Sequence, residues 1–105
     1  MRTTITARHC EISEDMRQRA LAVLARLAPL ANRPVDGTVV FDIVAQQATA
    51  EIRIHDSSGE LFVASGEGKD HRSALDRAEE KVRRQLEKEK DADSPRRNRG
   101  LRDAV

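Results

Sequence analysis

The stretch Gly59–Lys90, GELFVASGEGKDHRSALDRAEEKVRRQLEKEK, reads as a short strand, a glycine-punctuated turn and one long helix. Glu60–Ser65 is read as a strand. Gly66 and Gly68 are expected to break that strand, with Gly68 easing the turn, and Asp70 to cap a helix running from about Arg72 to Lys90. At about 100° per residue, Ala74, Leu75, Ala78, Val82 and Leu86 fall in one arc, which is the face that packs on a sheet. Arg77, Lys81, Arg84 and Lys88 recur at intervals of four, three and four, a stripe of cations along one border of that arc. Arg72, Arg83 and Lys90 form a looser cluster near the other border, with Asp76, Glu80 and Glu87 outward between them.

A row of cations on a rigid rod suits a polyanion, and nucleic acid is the obvious one. The competing reading is a solvated helix stitched by Glu80–Arg84 and Glu87–Lys90 pairs, each worth about 0.2–0.5 kcal/mol. Two features weigh against it. The stripe contains no acid within its own row, and a second group, Arg96, Arg97, Arg99 and Arg102, follows after the helix. The candidate RNA contacts are therefore Arg77, Lys81, Arg83, Arg84, Lys88 and Lys90, with further contacts from the four tail arginines. Single-stranded bases are usually read on aromatic platforms. This chain has no Trp or Tyr, and Phe41 and Phe62 both sit in strand patterns, so backbone and shape recognition of a structured RNA fits better than sequence readout.

Upstream, Thr3–Arg8 alternates polar and apolar residues and is rich in β-branched types, so it reads as a first strand. Ser13 then stands as an N-cap, with Glu14 and Asp15 in the first turn and Met16, Ala20, Val23, Leu24 and Leu27 at helical spacing. Pro29 and Asn32-Arg33-Pro34 end that helix. Gly37 precedes a second strand, Thr38–Val44, in which Val39, Phe41 and Ile43 face one way. Ala50–His55 is a third strand, followed by a hairpin turn at Asp56-Ser57-Ser58-Gly59. The order is β-α-β-β-β-α, an α+β domain whose two helices pack on one face of a four-stranded sheet and leave the other face more polar. Residues 1–90 form that domain. Residues 91–105, with Pro95, Gly100 and four arginines, lose periodicity and are expected to be a flexible arginine-rich tail.

The chain has 105 residues, enough for one domain with a small core. Apolar residues make up 38% with two aromatics, so the core is aliphatic. Charged residues make up 35% and nearly cancel to a net +1, so the case for a polyanion rests on where the charges lie. The sequence contains neither an apolar run long enough for a membrane span nor an apolar leader segment, and Cys10 is its single cysteine. These features point to a cytoplasmic protein.

Catalytic and metal chemistry find little support. His9 and Cys10 are adjacent at the end of the first strand, where side chains point to opposite faces, so they are poor joint ligands. His55 falls on the polar sheet face, and His71 reads as a packing residue. Gly66-x-Gly68 lacks the phosphate-loop pattern. Asp42, Glu51 and Glu60 show no pairing that suggests acid–base work. The expectation is a non-enzyme without metal, cofactor or small-molecule substrate.

Two segments carry a resemblance. ITARHCEIS at Ile5–Ser13, followed by an amphipathic helix, resembles the opening of the ribosome hibernation-promoting factor and ribosome-associated inhibitor family, historically labelled sigma-54 modulation proteins. Ala64–Lys90 is similar to that family's strand-turn-helix signature, ending in K-x-x-R-Q-L-x-K-x-K at Lys81, Arg84, Gln85, Leu86, Lys88 and Lys90. The likeness is collinear over about residues 3–90. It implies a β-α-β-β-β-α domain similar in layout to double-stranded-RNA-binding domains. It also implies binding to the small ribosomal subunit and its 16S rRNA, in the channel used by mRNA and tRNA. Occupying that channel blocks translation and preserves idle ribosomes under stress or in stationary phase. Carried over by position, the matched cations are Lys81, Arg84, Lys88 and Lys90, whereas Arg77 and Arg83 extend the surface on physical grounds. The helix is more acidic than is usual in the family, at Glu79, Glu80, Glu87 and Glu89, and His71 and Arg72 stand where an aromatic often follows the cap. Long members add a C-terminal domain that joins two ribosomes. No counterpart follows the helix here, so the expectation is a monomeric short form that does not dimerise ribosomes by that route. The rival readings are a general structured-RNA binder and a protein–protein regulator using the exposed sheet face, where Val40 and Val44 are unusually apolar.

Overall fold

The computed structural model describes residues 1–92. Its elements are β1 (Arg2–Ala7), α1 (Glu14–Leu27), a short 3-10 turn (Ala28–Leu30), β2 (Pro34–Val44), β3 (Gln47–Asp56), β4 (Leu61–Gly68) and α2 (His71–Ala92). The element order is the one the periodicities give. The arginine-rich segment that the sequence separates as a tail lies, beyond Ala92, outside the described residues.

The strands lie in the order β1-β2-β3-β4. β1 runs parallel to β2, with Ile5 opposite Val39, and needs the α1 crossover to do so. The other two pairings are antiparallel hairpins, with Val39 opposite Ile52 and Ile52 opposite Ala64. Alternation along the strands sends Val39, Phe41, Ala50, Ile52, Ile54 and Phe62 to the helix face, where all are buried. α1 contributes Ala20, Val23, Leu24 and Leu27, and α2 contributes Ala74, Leu75, Ala78, Val82 and Leu86, to the same cluster. Each fully buried Leu, Ile, Val or Phe adds roughly 1.5–3 kcal/mol before conformational entropy is counted. Ile43 belongs to the core-facing series but is 45% exposed, next to the last residue of β2 at the hairpin end of the sheet.

Local chemistry explains the boundaries. The Ser13 hydroxyl accepts from the Met16 N–H at 3.1 Å and opens α1. Pro29 sits in the 3-10 turn, where α-helix cannot continue. Asp56 organises the β3–β4 turn: its Oδ1 accepts from the N–H groups of Ser58 and Glu60 at 3.0 Å each and from the Ser58 hydroxyl at 2.6 Å. Gly59 completes that turn at φ +93°. The β2–β3 hairpin closes on Ala45 and Gln46, whose φ values of 51° and 66° are both positive. That is the geometry for which Asn-Gly is preferred, and each non-glycine residue held there costs on the order of 1 kcal/mol.

Three glycine expectations are corrected. Gly37 does not precede β2; it lies within it, buried, under Leu24 of α1. Gly66 and Gly68 do not break β4 and are its last residues on the helix side, with Gly68 at no left-handed angle. A Cβ on Gly66 would stand 2.3 Å from the Ala74 carbonyl oxygen and 2.7 Å from the Ala78 nitrogen. Glycine is therefore required by the close approach of α2 to the strand. No helix among the described residues is long and apolar enough to cross a membrane.

Candidate nucleic-acid interface

α2 starts where the sequence places it. Asp70 Oδ1 accepts from the Ser73 N–H at 2.8 Å, and the Asp70 carbonyl accepts from Ala74. The helix then doubles back along β4, an edge strand whose outward carbonyls have no strand partner. Three side chains of α2 take those carbonyls in turn. Arg77 donates through a guanidinium N–H to the Glu67 oxygen, Lys81 Nζ donates to Ser65 O at 2.9 Å, and Gln85 Nε2 donates to Val63 O at 2.8 Å. Four helical residues rise about 6 Å. Two strand residues rise about 6.6 Å. The two repeats therefore stay in step over this length, and the antiparallel run of α2 on β4 sets the descending order 67, 65, 63.

This arrangement divides the cation stripe. Arg77 and Lys81 are held at the sheet edge while retaining further N–H donors for a ligand. Arg84 reaches back to Glu80 at 3.0 Å, an i,i+4 pair in which the Arg84 side chain is 70% exposed, so little binds it there. Lys88 is exposed and forms no ion pair among the described residues. Lys90 lies in α2 by its backbone. Arg96, Arg97, Arg99 and Arg102 lie outside the described residues. Gln85 escapes a reading by charge, although its spacing of four from Lys81 is the signal that places it in the same row.

Arg83 belongs to a different group. Glu79 accepts a two-pronged bond from Arg26 of α1, 3.0 Å for each nitrogen, and also a bond from Arg83 at 3.2 Å. The Glu79 side chain is only 13% exposed. The acidic departure at this position is thus a bridge between the two helices, and its single charge offsets one of the two on Arg26 and Arg83.

Carboxyl protonation follows from these contacts. The Arg26 hydrogen bond, against opposing burial, holds Glu79 below the ordinary glutamate range. Asp70 is lowered by the Ser73 N–H and hydroxyl, and Asp42 by the His9 ring and the Ile43 N–H. Burial pushes Asp56 upward, but bonds from the Ser58 hydroxyl and the Glu60 and Ser58 N–H groups outweigh it and leave that group lowered. Each folded-state value lies below its unfolded one, so the stabilisation is complete above the ordinary carboxylate range of about 4 and is lost as pH falls through the folded values. Thermal denaturation should therefore show Tm falling steeply below about pH 4. Glu79→Gln should be less stable than the parent at pH 7, by about 1 kcal/mol, and should show a shallower acid decline. Parallel pH curves for the two proteins would remove Glu79 from this account.

The remaining reactive side chains are structural neighbours. His9 has φ 59° and leaves β1 in a bend, with Nδ1 3.0 Å from Asp42 Oδ1, a pairing the sequence does not reveal. Cys10 lies 3.8 Å from His71 Nε2, and that nitrogen is 2.9 Å from the Asp42 carbonyl oxygen. The His71 ring meets Phe41 edge to face at 5.4 Å, so it packs at the core margin. Burial, then the Asp42 charge, pushes the Cys10 thiol up, away from nucleophilic form. Among the described residues no three His, Cys, Asp or Glu side chains gather as metal ligands. The open sheet face carries both signs, with Arg2 on Asp36 at 3.0 Å and Arg8 3.8 Å from Asp42, so it offers no basic field; Val44 there is 56% exposed and Val40 half-buried.

The chain as a whole is similar to known proteins. The family description "Sigma 54 modulation protein / S30EA ribosomal protein" matches residues 3–93. The ribosome hibernation promoting factor of Escherichia coli K12 is 34% identical over 91 residues, covering 87% of this chain and 95% of that protein. The Klebsiella oxytoca protein of the same description is 32% identical with the same coverage. Among solved structures, the N-terminal domain of Thermus thermophilus Protein Y superposes with a TM-score of 0.72 at 28% identity, covering 84% of this chain and 98% of that one. A ribosomal subunit interface protein from Coxiella burnetii has a TM-score of 0.78 at 22% identity, covering 87% and 99%, and supports the fold.

Proposed function

The chain belongs to the sigma 54 modulation protein / S30EA ribosomal protein family, and on that premise we propose that it is a ribosome-associated hibernation factor. It acts by occupying the mRNA and tRNA channel of the small ribosomal subunit against 16S rRNA, under stress or in stationary phase. The single observation that carries this reading is the collinear match over residues 3–93, which includes the cation-bearing end of α2. The action is steric and needs no catalytic group, cofactor or small-molecule substrate. The protein works as a cytoplasmic monomer, with residues 1–90 as the ribosome-binding domain.

The contacts are phosphate contacts. Arg77, Lys81, Arg84 and Lys88 line one border of α2, Arg83 and Lys90 extend the surface, and Arg96, Arg97, Arg99 and Arg102 add to it from the tail. Such contacts add, and each neutralised phosphate steepens the salt dependence of binding. Sedimentation of stationary-phase lysate through a sucrose gradient tests the proposal. The protein should travel with small subunits or whole ribosomes at low salt and move to the top at high salt. Recovery only at the top at low salt would reject ribosome association. Competition by an unrelated RNA duplex as effective as purified subunits would instead favour a general structured-RNA binder.

A further inference from the structure

The strained hairpin tip has no structural reason visible in the core. Ala45, Gln46 and Gln47 are all exposed, yet Ala45 and Gln46 hold left-handed angles that an Asn-Gly turn would adopt with ease. Strain kept at an exposed site points to what the side chains there do. Gln46 and Gln47 form one wall of an open groove of about 930 Å³. Lys69, Arg77 and Lys81 stand along the same groove. Two of these cations are already positioned by the β4 carbonyls, so they lose little freedom on taking a ligand. Arg77 spends one of its five donors and Lys81 one of its three. Lys69 forms no ion pair among the described residues. The groove also carries two acids, Glu67 and Asp70, so its three cations exceed its anions by one.

We infer that this groove seats a single RNA strand. Lys69, Arg77 and Lys81 take successive phosphodiester oxygens, and the Gln46 and Gln47 amides bond to sugar or base edges opposite them. The inference rests on the ribosome-binding reading and adds the hairpin tip and Lys69 to the surface, together with the strandedness of the RNA it meets. Among the described residues no aromatic platform lines the groove, so the strand is held through its backbone, by a phosphate row on one side and two amides on the other, and not by stacked bases.

Two variants test it, Ala45→Asn with Gln46→Gly in one chain, and Lys69→Gln in another. Each is measured for Tm, for pelleting with purified ribosomal subunits, and for binding a labelled single-stranded oligouridylate across a salt series. The hairpin variant should melt higher than the parent yet bind both targets at least about 3-fold more weakly, since a merely structural turn would bind as well or better. Lys69→Gln should lower the slope of log affinity against log salt for the oligonucleotide by about 0.7. Parent-like binding of both targets by both folded variants would overturn the groove. Weaker subunit binding with unchanged oligouridylate binding would overturn the single-strand assignment. A parent chain that binds oligouridylate through these residues but not subunits would uphold the groove and reject the ribosome reading; a parent that binds neither rejects both. If the hairpin variant does not fold, Lys69→Gln alone decides.

Discussion

Replacing Arg77, Lys81, Arg84 and Lys88 together by Gln is expected to leave a folded protein that no longer sediments with ribosomal subunits. Glutamine is the right substitute because of Gln85. That residue already reaches a β4 carbonyl, Val63 O, from the position one turn beyond Lys81 and two strand residues along. A glutamine at 81 or 77 has the same relation to Ser65 or Glu67 and can keep the edge bond without the charge. Alanine would confound the result by opening the sheet edge, where unpaired carbonyls invite association. Arg84 and Lys88 carry no such duty: one has a solvent-exposed pair with Glu80 and the other is exposed. Stability should therefore change little. Binding should fall by about 100-fold or more, and the slope of log affinity against log salt should drop by up to about 3.6, near 0.9 for each phosphate left without its cation. The pairwise variants separate the roles. Arg84→Gln with Lys88→Gln should lower affinity with an unmoved Tm, and Arg77→Gln with Lys81→Gln should lower affinity with a small loss of Tm. Retained binding by the folded quadruple variant would move the interface off α2.

What could be read along the chain, and what could not, divides by range. Ser13 and Asp70 cap their helices because the capping contact spans three residues, and the arc Ala74, Leu75, Ala78, Val82 and Leu86 is buried as its period requires. The features that escaped are long-range. Gly66 looks like a strand breaker in one dimension because only the backbone of α2, folded over it, makes glycine obligatory. Glu79 looks like a repulsive charge on a candidate RNA-binding helix until Arg26, 53 residues away, is placed beside it. Gln85 carries no charge and so drops out of a cation stripe, although the sheet edge treats it as the third member of a row with Arg77 and Lys81. In each case the residue type was visible and its partner was not. The consequence for the candidate site is that charge along α2 is only part of its design. Half of the expected stripe also fixes the helix to the sheet, which is how a surface of long side chains obtains a defined geometry.

That dependence sets the outcome of changing Gly66 to Val. Local propensity favours the substitution, since valine suits a strand and glycine does not. Packing opposes it. The first added carbon would meet Ala74 O at 2.3 Å, Ala78 N at 2.7 Å and Arg77 Cβ at 2.8 Å, and two of those atoms are backbone that cannot rotate away. Relief requires α2 to lift from β4, which also draws Lys81 and Gln85 away from Ser65 and Val63. Overpacking ordinarily costs about 1–3 kcal/mol, and a clash with helix backbone belongs at or above the top of that range. For a domain of this size that is a Tm loss of roughly 12–24 °C. Gly59→Ala is the control: its Cβ would meet nothing within 4 Å, so only the φ of +93° opposes it, at about 1 kcal/mol. The expected order of Tm is parent, then Gly59→Ala, then Gly66→Ala, then Gly66→Val. If Gly66→Val melts with or above Gly59→Ala, α2 does not lie as close to β4 as the structure places it. Ribosome binding should fall with Gly66→Val even though every cation remains, because the proposed cation surface keeps its geometry only while the strand beneath holds the helix in place.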